Sequence, residues 1–125
     1  MTESNKDTAV TFLNMVMDGR IREAFSKFVG ERFEHHNPYF DGSAQSLMAG
    51  MEENERQNPE KTLKMKRVIT EDEFVVIHSH LHQNPADRLG TAVVHIFRFE
   101  DGRIAELWDI GQPVPENLVN RNGMF

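Results

Sequence analysis

The chain has 125 residues, a hydrophobic fraction of 38% and a net charge of −6, which is the length of one domain, residues 1–125, with a core of its own. The acidic balance excludes a nucleic-acid binder, since no basic stripe is available to neutralise phosphates. The lack of cysteine excludes disulfides, thiol nucleophiles and thiolate-held metal.

The first residues carry no apolar signal core and no apolar run is long enough to span a bilayer, so a cytoplasmic protein without membrane contact is expected. The apolar share is lean for this length, as if some surface were covered by a second copy. In chain order, Val10, Leu13, Val16 and Met17 recur at helical spacing behind a cap at Ser4-Asn5. Asp18-Gly19 breaks this helix, and Ile21, Ala24, Phe25 and Phe28 form a second stripe that ends at Gly30. Phe33 to Asn37 reads as a short irregular stretch stopped by Pro38. Asp41-Gly42-Ser43 turns into a third helix carrying Leu47, Met48 and Met51, closed by Asn58-Pro59.

The second half reads as strands: 62–70, 74–82, 91–99 and 104–112, with turn signals at Glu71-Asp72 and Asp101-Gly102 and a loop at 84–87. Helices followed by hairpin-linked strands predict an α+β layer fold with an antiparallel sheet, because the connections are too short for parallel crossovers. The basic group Lys61-Lys64-Lys66-Arg67 is interrupted and reads as a solvated strand edge.

Residues two apart on a strand share a face. In 74–82 one face carries Phe74, Val76, His78, His80 and His82, and the other carries Val75, Ile77, Ser79 and Leu81. The histidine row is unusual on either side of a sheet and reads as a candidate site, the alternative being imidazoles that pair across strands. His95 lies with Val93, Phe97 and Phe99, where a hydrogen-bonded core residue is the competing explanation. Asp109 lines up with Ala105, Leu107 and Gly111, opposite Ile104, Glu106, Trp108 and Ile110. A carboxylate there must be paired or hydrogen-bonded, either functionally or in an ion pair with Arg98 or Arg103. In Glu34-His35-His36-Asn37-Pro38, His36 or Asn37 can line a pocket mouth or simply cap a loop.

His36-Asn37-Pro38, Asp41-Gly42, Val76-x-His78-x-His80, Ile96-Phe97-Arg98-Phe99-x-Asp101-Gly102-Arg103-Ile104-x-Glu106-x-Trp108-Asp109 and Gln112-Pro113, in this order, resemble the SnoaL-like polyketide cyclase family of the nuclear-transport-factor-2-like superfamily. The likeness runs from the first helix to Gln112. It implies a cone-shaped half-barrel of the cystatin-like kind, with three helices packed on a strongly curved antiparallel sheet around an apolar cavity, and a homodimer formed through the outer sheet face. It also implies aldol-type chemistry without cofactor or metal, in which the aspartate of the Trp-Asp pair, here Asp109, removes a proton next to a carbonyl. Many relatives have histidine where this chain has Leu107, and aspartate where it has His95.

Proton abstraction needs a base matched to working pH and a donor for the developing oxyanion. The expected catalytic set is Asp109, His80 and His95. His36, Asn37, His78, Phe97 and Trp108 are expected to line the site around a small apolar or carbonyl-bearing molecule. Two alternatives stand beside this reading: a domain that binds such a molecule without turning it over, and a metal held by His78-x-His80-x-His82.

Overall fold

In the computed structural model, which describes residues 4–125, two helices, α1 (Asn5–Met17) and α2 (Ile21–Phe28), lead into strand β1 (Val29–His35). Helix α3 (Ala44–Gln57) follows, and then β2 (Thr62–Glu71), β3 (Phe74–His82), β4 (Thr91–Glu100) and β5 (Arg103–Pro113). Ser4 caps α1 by accepting a hydrogen bond from the Asp7 amide. At its other end Gly19 takes φ +82°, and the Gly19 and Arg20 amides bond back to Val16 and Met15. This is a Schellman closure, which requires the left-handed conformation that glycine adopts without strain. Helix α3 starts at Ser43, whose hydroxyl accepts from the Ser46 amide. Asp41 braces that start, and the amide and hydroxyl of Ser43 hold its carboxyl down at a pKa of about 2.

The expected α1 stripe is shifted slightly. Ala9, Phe12, Leu13, Met15 and Val16 are buried, while Val10 and Met17 are only half-buried. In α2 the buried residues are Ile21, Ala24, Phe25 and Phe28. The stretch expected to be irregular before Pro38 belongs largely to β1, which follows α2 without a loop and turns Phe33 and His35 inward.

The sheet order is β1-β5-β4-β3-β2. The four consecutive strands pair antiparallel, but β1 runs parallel to β5. The expectation of an all-antiparallel sheet considered only the connections between successive strands. β1 and β5 are joined through the rest of the chain, so a parallel pair costs no short crossover. Its place is marked by the His36 amide donating to the Leu107 carbonyl at 2.8 Å.

Two bulges interrupt the antiparallel pairing, one at Lys66 between Met65 and Arg67, and one at Ala105 opposite the Arg98–Phe99 step. The second changes the face of the start of β5. Ile104, expected beside Glu106 and Trp108, pairs with Phe99 and is fully buried. Bulges bend the strand that carries them, and here they help the sheet curve over the helices. Both tight turns carry an aspartate at φ +51°, Asp72 and Asp101, and Gly102 follows the second at +77°, as a two-residue hairpin demands.

Phe12 stands at the centre of the core, with its ring 5.3 Å from Phe25 and 6.0 Å from Phe97, the latter edge-on. It joins α1, α2 and β4 and has no solvent exposure. Phe12→Ala should therefore lower unfolding stability by about 3–5 kcal/mol, measured as an earlier urea midpoint with an unchanged slope.

Candidate functional site

Between α1, α3 and the inner face of the sheet lies a cavity of about 380 Å³. Leu13 and Val16 from α1, Leu47 and Met51 from α3, and Leu81 and Val93 from the sheet give it apolar walls. Phe40 borders it as well, with the tip of its ring against Gly50 of α3, where a side chain would collide with it. Into this apolar space project Asn37, His95 and Asp109.

The register of the sheet brings these three together. His95 of β4 lies directly opposite Asp109 of β5, and its Nε2 is 3.6 Å from Asp109 Oδ1. The other carboxylate oxygen, Oδ2, accepts from Asn37 Nδ2 at 3.0 Å. Asn37 follows β1 and is held at three points. Its backbone amide donates to His35 Nδ1 at 3.1 Å, its Oδ1 accepts from the Tyr39 amide at 3.0 Å, and its NH2 faces Asp109. The Tyr39 amide fixes which end of the carboxamide is oxygen, so the donor toward Asp109 is unambiguous.

His95 is buried, and among the described residues its Nδ1 has no hydrogen-bond partner. Burial pushes its pKa below the ordinary value, and the Asp109 charge opposes that shift without overcoming it. The ring is thus neutral near pH 7, with Nε2 toward the carboxylate. His35 is also buried and shifted downward, chiefly by desolvation.

The remaining residues expected at the site lie elsewhere. Val75, Ile77 and Ser79 of β3 are fully buried, so the histidine row faces away from the helices. On that outer face His78 contacts the Arg67 guanidinium, and His80 Nε2 lies 2.8 Å from the Leu89 carbonyl. The Phe125 ring stacks on both histidines. The expectation that His78 and His80 face the cavity fails because only one side of the sheet is covered, and the more apolar set takes it.

His36 and Trp108 are also on the outer face. They stack with centroids 4.9 Å apart, and His36 Nε2 is 2.6 Å from Glu106. Phe97 is sealed in the core, its ring 6.2 Å from that of His95, and it supports the site from below without lining it. Arg98 pairs with Glu100 and Glu106, and Arg103 donates to the carbonyls of Lys27 and Val29, so neither forms the ion pair considered for Asp109.

The histidine row does not converge as a metal site. Among the described residues, the side chains whose ligand atoms cluster within 4.8 Å are Glu34, His36 and Glu106. That cluster is already knitted by the His36 and Arg98 contacts, which together hold the Glu106 pKa below its usual value, His36 contributing most.

Lys61 does not lie on the solvated edge expected for its basic group. It is buried, pairs with Glu55 and borders the cavity. The signal was present in the alternation, since Lys61, Leu63 and Met65 share a face and the last two pack on the core.

The SnoaL-like domain profile matches residues 8–107. The chain belongs to the SnoaL-like domain family. Among solved structures it is similar to a protein from Kribbella flavida, with 20% identity, 86% of this chain and 85% of the other covered, and a TM-score of 0.69. An uncharacterised cystatin-fold protein from Novosphingobium aromaticivorans gives 16% identity, coverage of 86% and 98%, and a TM-score of 0.73. A protein of the SnoaL-like family from Agrobacterium tumefaciens, provisionally assigned as an isomerase, gives 14%, 88% and 99%, and 0.70. At these identities the likeness shows the fold, an open curved sheet with three helices packed on it. No curated protein matches the chain. No helix among the described residues is long and apolar enough to cross a membrane.

Because His35 and His95 titrate lower in the folded chain than their ordinary 6.5, the unfolded chain binds protons first as pH falls. Their contribution to stability is complete above about pH 6.5 and is lost progressively below it. Urea midpoints should decline from about pH 7 to about pH 5.5, and His95→Gln should flatten that decline.

Proposed function

We propose that the cavity binds a small apolar, carbonyl-bearing molecule and catalyses proton abstraction next to the carbonyl, as an aldol-type cyclase or isomerase without cofactor or metal. In this reading residues 1–125 form one SnoaL-like domain of a cytoplasmic protein. The observation that carries the proposal is the Asn37–Asp109–His95 group, a carboxylate beside a neutral imidazole at one end of a largely apolar cavity.

Asp109 serves as the base, taking the proton from carbon through Oδ1. The Asn37 bond to Oδ2 holds the carboxylate plane and leaves Oδ1 on the His95 side. With its proton on Nε2, His95 donates a hydrogen bond to the oxygen on which enolate charge develops, where a dry setting strengthens the interaction. The enolate then attacks a second carbonyl of the same molecule, and the alkoxide formed takes the proton back from Asp109, or the enolate is reprotonated by Asp109 at another carbon. His36, His78, His80 and Trp108 take no part in this scheme. General acid–base assistance of this kind is worth roughly 10²–10⁴-fold, enough for an activated substrate such as a β-dicarbonyl.

Asp109→Asn should lower the rate of solvent deuterium incorporation into a β-dicarbonyl, followed by NMR, by roughly 10²–10⁴-fold while ligand binding persists. Wild-type protein that accelerates no such exchange would leave a binding domain without turnover. That second reading is favoured by the walls, which are mostly aliphatic and hold ligands without reacting.

The outer sheet face supports a homodimer. Ile69 and Ile110 are more than half exposed there, and half-buried Val94 and Ile96 lie between them. Ile110→Lys should convert a dimer to monomer in analytical ultracentrifugation without changing the circular dichroism spectrum.

A further inference from the structure

The cavity has a second polar end. Ile77, His95 and Asp109 lie on one register line across β3, β4 and β5, while Leu63, Leu81 and Thr91 lie on another. His95 and Thr91 are four steps apart along β4, a distance on the order of 13 Å along a strand. Lys61, just before β2, sits beyond that second line. Its side chain is 4% exposed and its ammonium meets the Glu55 carboxylate. Lys61 borders the cavity whereas Glu55 does not. Gln83 borders it too, with its Oε1 taken by Asn54 Nδ2 at 3.4 Å, which leaves its NH2 as the polar group to offer.

A buried ion pair is a poor device for stability, because similar apolar packing is commonly as good or better. An ammonium has three donors and Glu55 uses one of them. The Lys61 end is therefore rich in donors, and the Asp109 end carries the negative charge. On the reading that the cavity holds a small molecule, we infer that Lys61 and Gln83 form a subsite for an anionic group, a carboxylate or an ionised enol, on an otherwise apolar ligand. Repulsion from Asp109 and attraction to Lys61 then fix one orientation, with the anionic group at Lys61 and the far end of the molecule against Asp109 and His95.

Two fluorescent probes of the same skeleton test this: N-phenyl-1-naphthylamine, which is neutral, and 8-anilinonaphthalene-1-sulfonate, which adds one anionic group. Lys61→Met should weaken sulfonate binding by roughly tenfold or more, the worth of a charged hydrogen bond, and leave the neutral probe within about twofold. Glu55→Gln, which frees the ammonium without removing it, should strengthen the sulfonate relative to the neutral probe and keeps the test available if Lys61→Met does not fold. An affinity ratio that stays at the wild-type value in the variants that fold would overturn the anionic subsite while leaving the cavity intact. Failure of both probes to bind wild-type protein would overturn the cavity reading as well. The first result leaves proton abstraction by Asp109 untouched, and the deuterium exchange reads that step separately.

Discussion

The register of β4 against β5 places His95 opposite Asp109, and the cavity's polar group depends on it. The Asp101-Gly102 turn begins that register, and the bulge at Ala105 resets it before the site is reached. Because side chains alternate with period two, a slip of β5 by one residue against β4 would send Asp109 to the outer face and part it from His95. The apolar residues guard against this. Phe97 and Leu107 are fully buried partners on the same ladder, and exposing them would cost far more than the site could recover. The geometry of the polar pair is thus set by the hydrophobic pattern around it.

Asn37 extends this arrangement to a third strand. It stands where β1 leaves the sheet, and its three hydrogen bonds tie the turn to His35, Tyr39 and Asp109. On the opposite face an ion ladder runs through Glu100, Arg98, Glu106 and His36, and it crosses the same three strands. With Arg98 mostly buried and Glu106 more so, this ladder is better shielded than an ordinary surface pair. The inner group and the outer ladder brace the β1–β5 edge from both sides.

Much of the fold was legible because its signals were local. Ser4, Gly19 and Ser43 mark helix ends by backbone chemistry, and Asp101-Gly102 marks a hairpin in the same way. The placements of His95 and Asp109 followed from strict alternation and the family likeness. The parallel pairing of β1 could not be read locally, since its partner lies at the other end of the chain. The bulge at Ala105 left no mark in composition, so Ile104 was put on the wrong face. The histidine row faces outward for another reason: the plain apolar set Val75, Ile77 and Leu81, and not the unusual residues, decides which face meets the helices. Lys61 was obscured by its basic neighbours, although its phase with Leu63 and Met65 pointed inward.

Asn37 and Asp109 are 72 positions apart in the chain, and they meet only when β1 closes against β5. Pairings of such long range are costly to form early and are completed late in folding. A chain growing from its N-terminus can make the three helices and their first contacts, but it cannot assemble this site until almost all of the sheet is in place. Ligand binding at the cavity would therefore report on the finished sheet, and a folding intermediate lacking the β1–β5 pair would be silent to it.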